Sequence, residues 1–283
     1  MKIDSHQHFW HFSEKEYGWM NDQMQAIKKD QLPEDFAPEL RAIGFEGSIT
    51  VQAKQSLEET NWLLKLAGSN DFIKGVIGWV DLRSVDIEKQ LEYYSKFSKL
   101  VGVRHVVHDE PNDDFILQND FLRGIKLLQK CSLAYDLLVF PKHLPNVIKL
   151  VEQFPEQTFI LNHIAKPMIK NSVLSPWKED IEHLAKYPNV FCKVSGMVTE
   201  ADWNHWKPDD FTPYIDVVFN AFGCNRIMIG SDWPVCKVTG SYQQVMGIVL
   251  SYIENFTEKD KGMVLGGTAS KAYRIAGKKG RGF

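Results

Sequence analysis

The 283-residue chain lacks the features that would point to a membrane protein, a secreted protein or a nucleic-acid-binding protein. No apolar run approaches the ~18 residues of a membrane span, and no signal-peptide hydrophobic region precedes the first predicted strand. Lysine and arginine total 33 against 36 acidic residues, and they form no basic stripe. We therefore expect a cytoplasmic protein with a small-molecule ligand, no membrane contact and no nucleic-acid partner.

Cysteine is also scarce. The four cysteines form no CxxC pair, and each lies in or beside an apolar segment. This usage favours reduced, mostly buried thiols over a disulfide framework. The short basic tail at 278–281 is expected to be a solvated, frayed terminus.

Short β-branched apolar runs alternate with longer amphipathic stretches along the chain. Seven strands are predicted at 2–8, 47–53, 74–80, 100–107, 134–139, 158–163 and 190–196, and an eighth ends at Asp232. Helical material follows each strand. Ser56 caps one of these helices, and Glu59 is predicted to complete a capping box with it. The segment 10–32 has no clear period.

Eight β–α units in about 280 residues predict a single-domain (β/α)₈ barrel, a TIM barrel spanning residues 1–283. A doubly wound sheet is the competing fold. It usually needs fewer strands, and no glycine-rich phosphate loop follows the first strand here.

Two histidines lie on the first predicted strand. Because residues two apart on a strand face the same way, His6 and His8 should project their imidazoles side by side. Two convergent imidazoles can bind a divalent metal or present N–H groups to a developing negative charge. The eighth strand carries a carboxylate, Asp232, shortly before Pro234, which cannot donate to a sheet and so ends the strand.

A closed barrel would bring these polar residues together. The C-terminal ends of all strands share one mouth, and the first strand neighbours the eighth, so His6, His8, His163 and Asp232 should converge there. Other polar residues at strand ends are Gln52, Arg104, His105, Lys193 and Ser195. Arg104 and His105 are adjacent and must face opposite ways, and the sequence leaves open which one faces the site.

Four segments resemble those of a known family. They are Ile3-Asp4-Ser5-His6-Gln7-His8-Phe9-Trp10, Gly102-Val103-Arg104-His105-Val106-Val107, Asn162-His163-Ile164-Ala165-Lys166-Pro167 and Gly230-Ser231-Asp232-Trp233-Pro234. Together they resemble the amidohydrolase superfamily, and specifically its lactonase branch. The histidine pair and the final aspartate are shared widely in that superfamily, whereas the Arg-His-Val-Val and Asn-His-x-x-Lys-Pro segments are sharper markers.

The resemblance implies that His6, His8, His163 and Asp232 form the reaction centre and are the ligands of any metal. Asp232 would be the general base, and the three histidines would polarise a carbonyl directly or through one divalent ion. Zinc is the favoured ion, and it need not be required for activity. Arg104 stands where many superfamily members use a carbamylated lysine, which disfavours a binuclear centre.

The implied reaction is hydrolysis of a neutral sugar lactone, such as L-fucono-1,5-lactone, to the aldonic acid. Six residues are expected to bind this substrate: Gln52, Arg104, His105, Lys166, Trp10 and Trp233. A metal-dependent decarboxylase, or another amide or ester hydrolase of the same superfamily, is the alternative. A more distant alternative is a non-catalytic ligand-binding barrel.

Overall fold

Eight parallel strands form one sheet whose spatial order follows the chain, in a computed structural model that describes residues 1–275. The strands are β1 (Ile3–Gln7), β2 (Gly47–Val51), β3 (Ile73–Gly78), β4 (Leu100–Val106), β5 (Ala134–Leu138), β6 (Phe159–Leu161), β7 (Val190–Val194) and β8 (Ile227–Ile229). The sheet closes on itself where Asp232 N donates to His6 O at 2.8 Å and His8 N donates to Trp233 O at 2.7 Å. The predicted (β/α)₈ barrel is therefore confirmed.

Helices surround this barrel. They are α1 (Pro33–Ala42), α2 (Leu57–Ser69), α3 (Ile87–Tyr94), α4 (Asn119–Lys130), α5 (Leu144–Gln153), α6 (Trp177–Leu184), α7 (Thr212–Phe222), α8 (Tyr242–Tyr252), α9 (Glu258–Gly262) and α10 (Thr268–Ala272). The apolar faces of α1 to α8 pack on the outer face of the sheet and form the largest hydrophobic core. The α1 helix is absent from the elements predicted by periodicity. Within residues 1–275, no helix is long and apolar enough to cross a membrane.

A second apolar core fills the lower half of the barrel. It consists of inward-facing strand residues, such as Ile3, Ile77 and Ile160, and residues of the C-terminal helical segment. Tyr273, which directly follows α10, is 1 % exposed and packs among these side chains. This packing leaves the C-terminal ends of the strands as the end that holds the cavity described below. The basic tail at 278–281 lies outside the described residues.

Two loops differ from their predicted form because β6 and β8 are only three residues long. His163 and Asp232 therefore follow their strands instead of ending them. Both have left-handed backbone conformations, with φ of 53° and 60°. The left-handed run continues from His163 to Lys166, and this turn brings the His163 side chain back over the barrel mouth.

The predicted cap at α2 is half confirmed. Ser56 Oγ accepts from Glu59 N at 3.0 Å, as an N-cap residue should. The prediction that the Glu59 carboxylate completes a capping box is wrong. This carboxylate accepts instead from Ala53 N and Lys54 N, at 3.0 and 2.7 Å. Those two N–H groups follow the end of β2 and obtain their partner from Glu59.

The aperiodic segment 10–32 is folded beside the mouth. Trp10 pairs with Gln31 in an isolated antiparallel bridge, and Asp22–Ile27 forms a 3₁₀ helix. Trp10, Tyr17, Met20 and Ile27 are buried together in a small cluster. A segment held by such scattered aromatic contacts has no reason to show a helical or strand period.

Candidate active site

A backbone carbonyl on the neighbouring strand β2 determines which ring nitrogen of His8 carries the hydrogen. Its Nδ1 lies 2.8 Å from the carbonyl oxygen of Val51 at the end of β2. A carbonyl oxygen can only accept, so Nδ1 carries the hydrogen and the neutral ring keeps a lone pair on Nε2. That Nε2 lies 3.3 Å from Asp232 Oδ1.

His6 lies deeper than His8 and is fully buried. Its Nε2 lies 3.2 Å from His8 Nε2 and 3.7 Å from Asp232 Oδ1. Two cationic groups flank the ring: Arg104 Nη1 is 3.3 Å from Nε2, and Lys193 Nζ is 3.5 Å from Nδ1.

Asp232 lies among the three imidazoles. Its Oδ1 is 3.3 Å from His8 Nε2, 3.7 Å from His6 Nε2 and 3.8 Å from His163 Nε2. His163 is held from behind, with Nδ1 2.9 Å from Ser195 Oγ on the loop after β7. The structure thus brings together all four residues of the predicted reaction centre.

Burial governs the charges of this cluster. Desolvation lowers the pKa of His6 and His163 well below its ordinary value, and it also lowers the pKa of His8. Burial alone would raise the pKa of Asp232, but the adjacent His163 and His8 outweigh it and lower that pKa to about 2. At neutral pH the cluster therefore holds an ionised carboxylate.

A cavity of about 410 Å³ opens above the cluster, within the size range of small-molecule sites. His8, Arg104, His163 and Asp232 line its floor. Its polar wall includes His108, Asp109, Lys166, Thr199 and Glu200, and its apolar wall includes Trp10, Trp19, Met24, Val106, Phe140 and Trp203.

The fourth strand resolves the alternative that its sequence leaves open. Arg104 points into the barrel, where Nη2 donates to Gln52 O at 2.6 Å and Nη1 donates to Asn162 Oδ1 at 3.3 Å. His105 points outward instead. It bonds Glu110 at 2.6 Å, accepts from Trp79 Nε1 at 3.2 Å and stacks on Phe115. The structure therefore does not place His105 in the substrate cavity.

Of the other predicted substrate-binding residues, some line the cavity and others do not. Lys166 lines the cavity and forms an ion pair with Glu200, and Trp10 lines it with Nε1 donating to Lys29 O at 3.0 Å. Gln52 lies behind the cavity lining and holds Arg104, with Nε2 donating to Arg104 O at 3.3 Å.

The prediction for Trp233 needs correction. Its ring is fully buried on the outer side of the barrel and packs against Phe9 and Phe36. Asp232 faces the mouth, so the next side chain is directed away from it. Trp233 is therefore a core residue of the interface with α1.

Several lining residues carry no motif in the sequence. Glu200 and Trp203 lie in the loop after β7, and His108 lies on the short 3₁₀ helix Val107–Asp109. Loop residues show no periodicity that would reveal their direction. The only available signal for His108 is its position four residues after Arg104, near the end of a predicted strand.

Three atoms of the cluster match the spacing of a metal site. His6 Nε2, His8 Nε2 and Asp232 Oδ1 lie 3.2 to 3.7 Å apart, close to the ~3.3 Å edge of a tetrahedron with zinc–ligand bonds near 2.0–2.1 Å. Among the described residues these three form the candidate metal group, and His163 Nε2 lies 3.8 Å from the Asp232 Oδ1 of this group.

The surroundings of His6 do not match a metal ligand. A metal-bound imidazole donates its other N–H to an acceptor, as His8 does to Val51 O. His6 Nδ1 instead faces the Lys193 ammonium, which is a donor. The distances therefore fit a metal, but the outer partner of His6 does not.

The fold is a (β/α)₈ barrel with a histidine pair on its first strand and an aspartate after its last, and in barrel enzymes the active site lies at the C-terminal ends of the strands, where these residues meet. The amidohydrolase family model matches residues 3–275, and the chain belongs to the amidohydrolase family. The resemblance drawn from the four sequence segments is thereby confirmed.

The chain is similar to two curated lactonases along nearly its whole length. It is 35 % identical to the L-fucono-1,5-lactonase of Burkholderia multivorans, over 97 % of this chain and 96 % of the relative. It is 34 % identical to the L-fucono-1,5-lactonase of Burkholderia ambifaria, with the same coverage. A solved amidohydrolase structure from Burkholderia multivorans, with bound zinc, superposes with a TM-score of 0.94 at 35 % identity, covering 97 % of this chain and 99 % of that one.

Proposed function

We propose that this enzyme hydrolyses a neutral sugar lactone to its aldonic acid, with L-fucono-1,5-lactone as the first substrate to test. The observation that carries the proposal is the position of Asp232, whose carboxylate lies among three imidazoles on the floor of a 410 Å³ cavity. The similarity to two L-fucono-1,5-lactonases supports the same reaction.

Asp232 is the proposed general base. Its lowered pKa keeps the carboxylate ionised at neutral pH, and its Oδ1 faces the cavity. A water molecule beside it attacks the lactone carbonyl carbon, and its proton passes to the carboxylate. The same proton then passes to the ring oxygen as the C–O bond breaks, which leaves the open-chain hydroxy acid.

Arg104 and the buried imidazoles are the proposed stabilisers of the carbonyl oxygen. Negative charge develops on that oxygen as water attacks, and fixed donors in a dry site stabilise it. Arg104 is 4 % exposed, lines the cavity and lies 3.3 Å from His6. A divalent ion held by His6, His8 and Asp232 would supply Lewis-acid polarisation, but the position of Lys193 argues against it and no step here depends on it.

The charges around the cavity favour a neutral substrate. Among the described lining residues, Arg104 and Lys166 are cationic, whereas Asp109, Glu200 and Asp232 are acidic. A substrate with carboxylates would meet this acidic excess, and Lys166 is already paired with Glu200. Sugar hydroxyls can donate to the carboxylates and accept from Lys166. This balance favours a lactone over the aromatic acid that a decarboxylase would bind.

Acid release from a panel of lactones tests the proposal. Purified enzyme should open L-fucono-1,5-lactone or a stereoisomer, and Asp232→Asn should lower kcat by about 10²–10⁴-fold. Asp71→Asn, on the exposed surface, is the matched control and should retain full activity. Absence of turnover with every lactone would overturn the lactonase assignment, and near-wild-type turnover by Asp232→Asn would overturn the role of the base.

A further inference from the structure

The first strand contains a β-bulge where it enters the proposed reaction centre. The register of β1 on β2 shifts between Asp4 and Gln7, so that Ser5 and His6 together oppose the single residue Ile49. A bulge of this kind inserts an extra residue into one strand and can re-aim a side chain near an active site. The bulge therefore bears directly on where the His6 imidazole points.

The extra residue turns His6 into the barrel. Ile3 packs in the apolar core inside the barrel, so strict alternation along β1 would point both Asp4 and His6 outward. Asp4 does lie on the outer side, where burial and the nearby Asp4 carboxylate raise the pKa of the Tyr242 hydroxyl on α8. His6 instead lies 3.3 Å from Arg104 inside the barrel. Whatever holds the bulge thus also holds this imidazole.

Asp4 provides the hydrogen-bond acceptor that the bulge needs. Every residue of β1 is buried, and a buried backbone N–H requires a partner. His6 N donates to Asp4 Oδ1 at 3.1 Å. The same oxygen accepts from Ser231 N, at 3.0 Å, on the chain that follows β8. One carboxylate oxygen therefore links the first strand to the end of the last one.

The β1–β8 seam has few other links within residues 1–275. Each pair of strands consecutive in the chain forms at least three ladder pairs, whereas β1 meets the chain after β8 in one isolated bridge, Gln7 with Trp233. The two sides are also in close contact, because a Cβ at Gly230 would lie 2.7 Å from His6 Cβ. A small shift at this seam would therefore move His6 relative to Asp232.

Ser231 extends the link from Asp4 to Asp232. While its backbone N–H is held by Asp4, its Oγ accepts from Trp233 N at 2.9 Å, which closes a short turn around Asp232. Asp232 N in turn donates to His6 O at 2.8 Å. His6 and Asp232 are thus connected by a continuous set of hydrogen bonds that begins at one side chain.

We propose that Asp4 is a positioning residue that sets the separation of His6 and Asp232. Asp4 is fully buried behind the cavity lining, so it acts through the two backbone amides and does not touch substrate. Its expected effect on turnover rests on the proposed function. Its effect on the geometry of the seam does not.

Crystal structures of three variants test the geometry without any substrate. Asp4→Ala removes the acceptor of both amides, and the distance from His6 Nε2 to Asp232 Oδ1 should lengthen from 3.7 Å. Asp4→Asn retains a carbonyl oxygen for both amides and should preserve this distance. Ser5→Ala is the matched control, because it removes another hydrogen bond of the same seam, from Ser5 Oγ to Ile229 O at 2.7 Å, and it should also preserve the distance. An unchanged His6 position in Asp4→Ala would overturn the proposal.

Steady-state kinetics test the consequence for turnover, at a temperature where urea unfolding shows all variants fully folded. Asp4→Ala should lower kcat by about 10- to 100-fold, as expected for a displaced reacting group. Its KM should stay unchanged, since the side chains that line the cavity are retained. Asp4→Asn and Ser5→Ala should keep the wild-type kcat. A purely structural role would leave kcat per folded enzyme equal in all three variants, and that result would refute the proposal.

Asp4→Ser keeps the test decisive if Asp4→Ala does not fold. Its hydroxyl can accept from the amide two residues on, His6 N, but it does not extend to Ser231 N. Its kcat should therefore fall below that of Asp4→Asn, and equal values would refute the link to Ser231. Failure of the wild type to open any lactone would contradict the proposed function alone, because the structural comparison requires no turnover.

Discussion

Gly196 offers a way to move the His163 imidazole of the proposed reaction centre without changing any polar group. It follows β7 with φ of +59°, and a Cβ placed there would lie 2.4 Å from His163 Nδ1 and 2.7 Å from its Cγ. Gly196→Ala therefore directs a methyl group at the His163 ring.

The size of the displacement follows from these distances. The contact must lengthen from 2.4 Å to about 3.4 Å, the start of ordinary van der Waals contact, so the ring must retreat by about 1 Å. His163 is 4 % exposed and is held through Nδ1 by Ser195, so the retreat breaks a hydrogen bond and moves Nε2 relative to Asp232. A misplacement of about 1 Å in a catalytic group can lower the rate by about 10²-fold.

Gly44 provides the matched control. Its φ of +76° is also positive, and the flexible end of the Lys2 side chain is the one neighbouring group near its would-be Cβ, at 4.0 Å. Alanine at either position should lower the free energy of unfolding by about 1–2 kcal/mol because of the backbone conformation.

The assay combines kcat for lactone opening with urea unfolding of both variants. Both should be destabilised to a similar degree, and only Gly196→Ala should lose about two orders of magnitude in kcat. Equal kcat values for the two variants would refute the reasoning that His163 must hold this position.

Three further predictions concern neighbouring groups. Burial raises the pKa of Glu59 to about 7 from its ordinary 4.5, so the folded state binds the proton more tightly than the unfolded state. The free energy of unfolding should therefore fall by up to about 3 kcal/mol as pH rises from 4.5 to 7, a slope that Glu59→Gln should remove and exposed Glu58→Gln should retain in urea titrations. Ser195→Ala removes the Nδ1 partner of His163 and should lower kcat by about 10-fold, with about 1 kcal/mol of stability lost, and an unchanged kcat would contradict its role. Arg104→Lys cannot reach Gln52 and Asn162 together, so steady-state kinetics should show kcat/KM lowered by about 10²-fold in a folded protein; full activity would contradict the role of Arg104.

Periodicity predicted the scaffold because each strand and most helices bury one face. Helices such as α5 follow the predicted strands, whereas α1 was not identified from the sequence. The missing helix has a proline within it, at Pro38, and it follows a segment shaped by isolated aromatic contacts. Local pattern is informative where one face packs on the sheet and uninformative where packing is irregular.

The cluster at the mouth was predictable for a topological reason. In a closed barrel the first and last strands are neighbours, so a histidine pair at one end of the chain and an aspartate near the other must meet. His6, His8 and Asp232 do meet, although Asp232 lies beyond a strand of only three residues. His163 reaches them through a left-handed turn that no residue pattern indicates.

The amino-acid sequence by itself determined the eight-stranded barrel and the four residues that converge at its mouth. The strands are visible in the local pattern of apolar residues, and eight successive β–α units close into a barrel whose strand ends share one mouth. The tertiary structure alone decided which adjacent residue faces inward, so that Arg104 lies in the site and His105 outside it. It alone placed Trp233 in the core and Lys193 beside His6. Side-chain direction and proton position depend on partners distant in the chain, and only the folded structure brings those partners together.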